Sequence, residues 1–95
     1  MRAKKNFIVI AYDISDNLRR SRVSQLLERL GSWINYSVFE CMITDNQYYK
    51  LQYEIEKIIN YKEDVVAYYP ICVNCYTKTN YSPIKRRIFE KVYVL

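Results

Sequence analysis

Histidine is absent from the 95 residues. Without it there is no Ser-His-Asp triad, no Cys-His nucleophile pair and no His-ligated zinc within this chain. Hydrolytic chemistry here has to run on carboxylates and a metal ion, or on groups borrowed from a partner. Glycine occurs once and proline twice, while 51% of residues are hydrophobic, and that composition excludes a collagen, a low-complexity linker and a disordered chain. No apolar run approaches the roughly 20 residues that cross a bilayer. The stretch after the basic start ends at Asp13 without a small-residue cleavage site, so no signal peptide is read and a cytoplasmic protein, not a membrane one, is expected. Cysteine occurs three times, an odd count that argues against a disulfide framework.

What is abundant is positive charge and tyrosine. Fifteen Lys and Arg against ten Asp and Glu leave a net charge of +5, which attracts polyanions, nucleic acid first. Eleven tyrosines supply flat rings that either stack on bases or fill a core, and packing is the commoner use of such rings.

No repeat, linker or composition break divides residues 1–95, and a chain this short is expected to form one domain. Phe7 to Tyr12 is apolar at both phases of a period of two, as in a central strand covered on both faces. Asp13 to Asn17 ends that strand and can cap a helix. Val23, Leu26, Leu27 and Leu30 then form one helical stripe, with Gly31 as the stop. Ser32 to Ile43 returns to strand pattern and is too long for one straight strand, which predicts two short strands or a bent one. Thr44 and Gln47 fit a capping box ahead of a second stripe of Tyr48, Leu51, Ile55, Ile58 and Ile59. Val65 to Tyr69 reads as a strand stopped by Pro70, Cys72 to Pro83 as irregular, and Ile84 to Leu95 as a last, basic strand. The order β-α-β-β-α-β predicts an α+β, ferredoxin-like sandwich with an extra C-terminal strand. Two helices cover one face only, yet Phe7, Val9 and Ala11 make the other face of the first strand apolar as well. A homodimer, sheet against sheet, would bury it, and residues 84–95 would pair with the partner.

Asp13 is the first candidate for chemistry. It closes the first strand with Arg19, Arg20 and Arg22 close behind. A carboxylate there can hold Mg²⁺, which takes one or two protein carboxylates and keeps several waters, while the arginines grip phosphates as bidentate forks. The other reading makes Asp13 a turn residue or cap and Asp16 an N-cap, and the commonness of Asp in those places favours it on the residues alone. Cys72 and Cys75 form a C-x-x-C that cannot complete a four-ligand zinc site within one chain and lies in the stretch read as irregular, away from a helix start; small, half-buried thiols are expected. Two basic clusters, Arg2, Lys4 and Lys5 at one end and Lys85, Arg86, Arg87 and Lys91 at the other, suit either phosphate contact or protection of a sheet edge.

Four pieces of the chain together resemble the CRISPR-associated protein 2 family. They are Tyr12-Asp13-Ile14-Ser15-Asp16 closing the first strand, the Arg-rich start Arg19-Arg20-Ser21-Arg22-Val23, the segment Tyr36-Ser37-Val38-Phe39-Glu40-Cys41, and Tyr69-Pro70-Ile71-Cys72 with Cys75. The match runs in order over essentially the whole chain. The resemblance implies a ferredoxin-like homodimer and a role in CRISPR adaptation, bridging the integrase so that a short DNA duplex is held and measured. It also implies, for some members, Mg²⁺-dependent cleavage of single-stranded RNA or duplex DNA, with Mn²⁺ as a substitute ion. The family's metal residue falls on Asp13, one from each subunit, and Tyr12, Arg20, Arg22, Ser37 and Phe39 match positions around it. Trp33 departs from the pattern, standing where some nuclease members carry an arginine, and so removes one phosphate contact. Two rival expectations stand beside the nuclease: a non-catalytic scaffold that binds DNA and docks the integrase, and a toxin-like ribonuclease of the same fold outside any CRISPR system.

Overall fold

The computed structural model describes residues 4–80 and 82. The basic strand expected over 84–95, and with it Arg2, Lys85, Arg86, Arg87 and Lys91, lies outside the described residues. The elements run β1 (Lys5–Asp13), α1 (Asn17–Glu28), β2 (Gly31–Asn35), β3 (Val38–Thr44), α2 (Asp45–Ile58), β4 (Val65–Ile71) and α3 (Val73–Thr77). The strands form one antiparallel sheet in the order β2-β3-β1-β4, the ferredoxin-like arrangement. The expected break within 32–43 falls at Tyr36 and Ser37, where the chain turns from β2 into β3.

One face of the sheet carries the core. Ile8, Ile10 and Tyr12 of β1 and Phe39, Cys41 and Ile43 of β3 meet Val23 and Leu27 of α1 and Leu51 and Ile55 of α2. The helix starts are set by side chains. Asp16 caps α1 by accepting from the Arg19 N–H at 2.9 Å. Thr44 and Gln47 close the reciprocal capping box of α2 at 3.2 and 2.8 Å.

The structure corrects the sequence reading at four places. Pro70 does not stop β4. It pairs with Ile8 inside the strand, and β4 is the outer strand on that side among the described residues, where a residue lacking an N–H costs no ladder bond. The region after Cys72 is not irregular throughout, because Val73–Thr77 is a short helix. The second face of β1 is not bare at its start: the Tyr76 ring packs 4.6 Å from that of Phe7, which is 3% exposed. Gly31 does not end α1 in a left-handed turn. It opens β2, and a Cβ there would lie 2.2 Å from the Glu40 carbonyl oxygen on β3, so glycine is required by the close approach of two strands.

The descent into β4 is held by charge. Arg19 forks onto Asp64, with Nε donating to Oδ2 at 2.7 Å and Nη2 to Oδ1 at 3.2 Å, and Nη2 lies 3.4 Å from Glu63. Asp64 also accepts from the Asn60 N–H at 2.8 Å, and its side chain is inaccessible to solvent. The Arg19 guanidinium, with the Asn60 N–H, holds the Asp64 carboxyl below its ordinary value near 3.8. A depressed carboxyl stabilises the fold above its unfolded pKa, and that contribution fades as pH falls through the folded pKa. Arg19→Ala is therefore expected to lower the thermal midpoint at pH 7 and to cost less near pH 3, which lies below the carboxyl's ordinary value. Denaturation curves of both proteins at the two pH values check this; an equal loss at both would show that the pair is not charge-driven.

Candidate nucleic-acid and metal site

Asp13 ends β1 opposite Val65, exposed to solvent. Because Asp16 caps α1, the capping role open to Asp13 is already filled, and among the described residues its carboxylate accepts no hydrogen bond. It shares strand parity with Val9 and Ala11, the side of the sheet away from the helices. It also stands on the rim of an open cleft of about 600 Å³ between α1 and the β2–β3 turn.

The cleft is built from three elements. Arg20, Ser24 and Glu28 recur every four residues along one side of α1, with Ser21 and Gln25 beside them. Trp33 comes from β2, and Tyr36 and Ser37 from the turn. Tyr12 forms the floor: its N–H donates to the Ser37 carbonyl at 2.9 Å and its hydroxyl to the Tyr36 carbonyl at 3.3 Å. These bonds tie the β2–β3 turn to β1 beside Asp13. Burial pushes the Tyr12 phenol above its ordinary value, so it stays a neutral donor. Phe39 lies below the surface, its ring 6.3 Å from Tyr12 on one side and 6.1 Å from Trp33 on the other.

The three arginines separate. Arg20 lines the cleft, where one terminal nitrogen donates to the Ile14 carbonyl at 2.8 Å and the Ser15 carbonyl at 3.3 Å and the other to the Asn17 side chain. It thus latches the loop that follows Asp13, leaving Nε and one further N–H of its five donors for a ligand. Arg19 is spent on Asp64 and Glu63 rather than on a phosphate. Arg22 points to another side of α1, beside Arg29 and Glu54 in a shallow depression, and does not reach the cleft. The structure therefore brings Asp13, Tyr12, Arg20 and Ser37 together with Phe39 beneath them, and leaves Arg19 and Arg22 outside. Ser24, Gln25, Glu28 and Tyr36 were not singled out in the sequence. For Ser24 and Glu28 the signal was the four-residue spacing from Arg20 on the polar side of α1.

Among the described residues no group of three potential metal-ligating side chains occurs. The exposed Asp13 carboxylate nonetheless fits Mg²⁺, a hard ion that binds through one or two carboxylates and retains water. The thiols stand apart from this site. Cys41 is buried, donates toward the Ile8 carbonyl at 3.7 Å and has its pKa pushed up to about 12 by burial. Cys72 and Cys75 are not half-buried as expected; both are exposed, and Cys72 caps α3 by accepting from the Cys75 N–H at 3.4 Å. That backbone bond lowers the Cys72 pKa, while the neighbouring Cys72 raises that of Cys75. Iodoacetamide near pH 7.5 is expected to alkylate Cys72 first, Cys75 more slowly and Cys41 only on unfolding, as peptide mass spectrometry would show. Equal rates at all three would contradict these environments.

Comparison with known proteins agrees with the geometry. A family model described as CRISPR associated protein Cas2 matches residues 6–79. The relative from Synechocystis named CRISPR-associated endoribonuclease Cas2 3 is 39% identical over 72 residues, covering 76% of this chain and 78% of the relative. The crystal structure of Streptococcus pyogenes Cas2 at pH 6.5 superposes with a TM-score of 0.72 at 22% identity, over 79% of this chain and 96% of that one. A chain of a partial Cas6-RT-Cas1–Cas2 complex gives 0.70 at 24% identity, over 84% and 88%. The two structural likenesses speak for the fold. No helix among the described residues is long and apolar enough to cross a membrane.

Proposed function

Since the chain belongs to the CRISPR-associated protein Cas2 family, we propose that it acts in CRISPR adaptation as a nucleic-acid-binding homodimer with Mg²⁺-dependent endonuclease activity, Asp13 being the residue on which cleavage depends. RNA is the substrate class that the Synechocystis relative's name points to. The observation that carries the reading is Asp13 itself: an exposed carboxylate, spent on no cap, at a strand end beside a cleft into which Arg20 and Tyr12 are fixed.

Among the described residues, the side of the sheet away from the helices supports the dimer reading. Val9 and Ala11 are half-buried there, and Tyr69, opposite Val9, and Val65, opposite Asp13, are 55% and 61% exposed. A second copy laid on this apolar side would cover them and bring the two Asp13 carboxylates toward one another. Two carboxylates at close range repel unless a cation lies between them, so ion binding and pairing would support each other.

Within such a pair, Asp13 of each chain would hold the ion. A divalent cation there polarises a phosphodiester and acidifies a bound water. Arg20, anchored by the loop it latches, would direct its remaining N–H donors at a phosphate oxygen and offset charge as it grows. The Tyr12 bonds to the turn keep the wall of the site from moving away. With no histidine in the chain, the proton released on attack would leave to water or to a carboxylate. The test is cleavage of a labelled RNA with and without Mg²⁺ by the wild-type chain and by Asp13→Asn.

One observation favours a second reading. Arg20 spends three of its five donors on its own chain and Arg19 three of its five on carboxylates, which suits a protein that holds nucleic acid by overall charge of +5 and docks the integrase without cutting. A scaffold of that kind would support spacer acquisition equally well with Asp13→Ala, whereas a required nuclease would not.

A further inference from the structure

The cleft beside Asp13 is more aromatic than phosphate binding needs, and two of its three charged lining residues, Asp13 and Glu28, have the wrong sign for a phosphate. Glu28 places a second carboxylate inside it, and Ser24 and Gln25 are neutral. The Ser24 hydroxyl donates to Glu28 Oε1 at 3.3 Å, which orients that carboxylate. Trp33, a large ring on a strand, is left 42% exposed and is held 10° from parallel to Phe39, while Tyr36 at the mouth is 86% exposed. A cleft of about 600 Å³ is within the range of small-ligand sites.

We propose that this cleft is a nucleobase pocket: an unpaired base of a single strand lies against the Trp33 indole, with an amino-bearing edge turned to the Glu28 carboxylate. The proposal rests on the nuclease reading and adds to it a means of choosing where the strand lies. Sequence-selective contact with single-stranded RNA depends on bases turned out of the stack, laid on an aromatic face and hydrogen-bonded along their edges. Trp33 supplies the face. Glu28, acceptor-only when ionised, matches the adjacent N1–H and N2–H donors of guanine; adenine and cytosine offer one amino group each. Uracil presents carbonyl oxygens on both sides of its single N–H and is repelled. The base's own phosphate would then extend toward Asp13 and Arg20 on the rim. The departure of Trp33 from an arginine thus exchanges a phosphate contact for a base contact. The same cleft could hold a phosphate alone, and that is the outcome the experiment has to separate.

Trp33 is the one tryptophan in the sequence, so its emission reports on this wall alone. The full chain, without divalent ions, is titrated with guanosine 5′-monophosphate, uridine 5′-monophosphate and ribose 5-phosphate, with excitation near 300 nm to avoid nucleotide absorbance. Saturable quenching by the guanine nucleotide is expected, with affinity for the uracil nucleotide weaker by about tenfold and no quenching by ribose 5-phosphate. Glu28→Gln should keep the quenching and bring the two affinities within about twofold. Trp33→Leu should weaken binding of a fluorescein-labelled single-stranded oligoribonucleotide, read by anisotropy, by about 10- to 100-fold. Absence of saturable quenching, equal quenching by ribose 5-phosphate, or unchanged selectivity in Glu28→Gln would overturn the pocket. None of these readouts involves cleavage. Lost quenching with Asp13-dependent cleavage intact removes only the pocket, while intact quenching with cleavage indifferent to Asp13 removes only the nuclease.

Discussion

Asp13→Asn is expected to abolish Mg²⁺-dependent cleavage, a fall of at least about 10²–10³-fold, while the variant still folds and still sediments as the wild type does. The substitution is nearly isosteric and removes one negative charge. Asp13 is exposed and touches no described partner through its carboxylate, so the fold loses nothing when that charge goes. The ion would lose the carboxylate proposed to hold it, and with it the hold that would place a polarising charge on the phosphodiester. At about 1.4 kcal/mol per factor of ten, the expected fall corresponds to roughly 3–4 kcal/mol of transition-state stabilisation, the scale on which single charge-stabilising groups act in enzymes. Chelation of the metal should reproduce the loss in the wild-type protein and leave the variant unchanged. The controls matter because trace ribonuclease gives the same gel pattern: equal cleavage by variant and wild type, or cleavage that survives a chelator, would remove Asp13 from the mechanism. Arg20→Ala should also lose activity. Because Arg20 latches Ile14 and Ser15, that loss would mix phosphate contact with a displaced loop, which makes Asp13 the cleaner probe.

How much of this was legible beforehand depends on whether the determinant was local. The stripe of α1, the Thr44–Gln47 box and the position of β1 are written in spacing, and the structure keeps them. Asp13 was visible for the same reason, as the carboxylate at the end of a strongly apolar strand. The fate of the arginines was not. Successive helical residues point about 100° apart, so Arg19, Arg20 and Arg22 face three directions, and which one meets the cleft depends on Asp64, 45 residues beyond Arg19. Helix α3 was missed because five residues are too few to show a period, and Pro70 misled because the residues cannot tell an edge strand from a central one. The cleft wall had a signal, the i, i+4 run Arg20–Ser24–Glu28, but a polar run on a helix ordinarily reads as a solvated face. Its meaning appears only once Trp33 from β2 is set across from it.

Gly31→Ala is expected to destabilise the protein by about 3 kcal/mol or more, the upper end of what overpacking costs. Removing a glycine usually does the opposite where the backbone permits it, because the unfolded chain loses freedom, a gain of about 0.4–1 kcal/mol. Here the added Cβ meets the Glu40 carbonyl oxygen at 2.2 Å, the Cys41 Cβ at 2.7 Å and the Cys41 Cα at 3.0 Å. Two of those atoms are backbone, so no side chain can swing aside; β2 or β3 has to move. For a domain of this size the loss corresponds to a thermal midpoint lowered by about 12–24 °C. Gly31→Asn separates the causes. Asparagine is tolerated in left-handed helix stops, so if Gly31 were needed for its dihedral angles Asn would be milder than Ala. Because the obstacle is the Cβ itself, Asn should be at least as damaging as Ala, and a milder Asn variant would restore the helix-stop reading. The effect reaches the cleft as well. Trp33 lies two residues along β2 and pairs with Phe39 on β3, so a strand pushed outward at Gly31 carries the indole away from Glu28 and Asp13. Gly31→Ala protein that remains folded at low temperature should therefore show altered Trp33 emission before it shows any loss of helix.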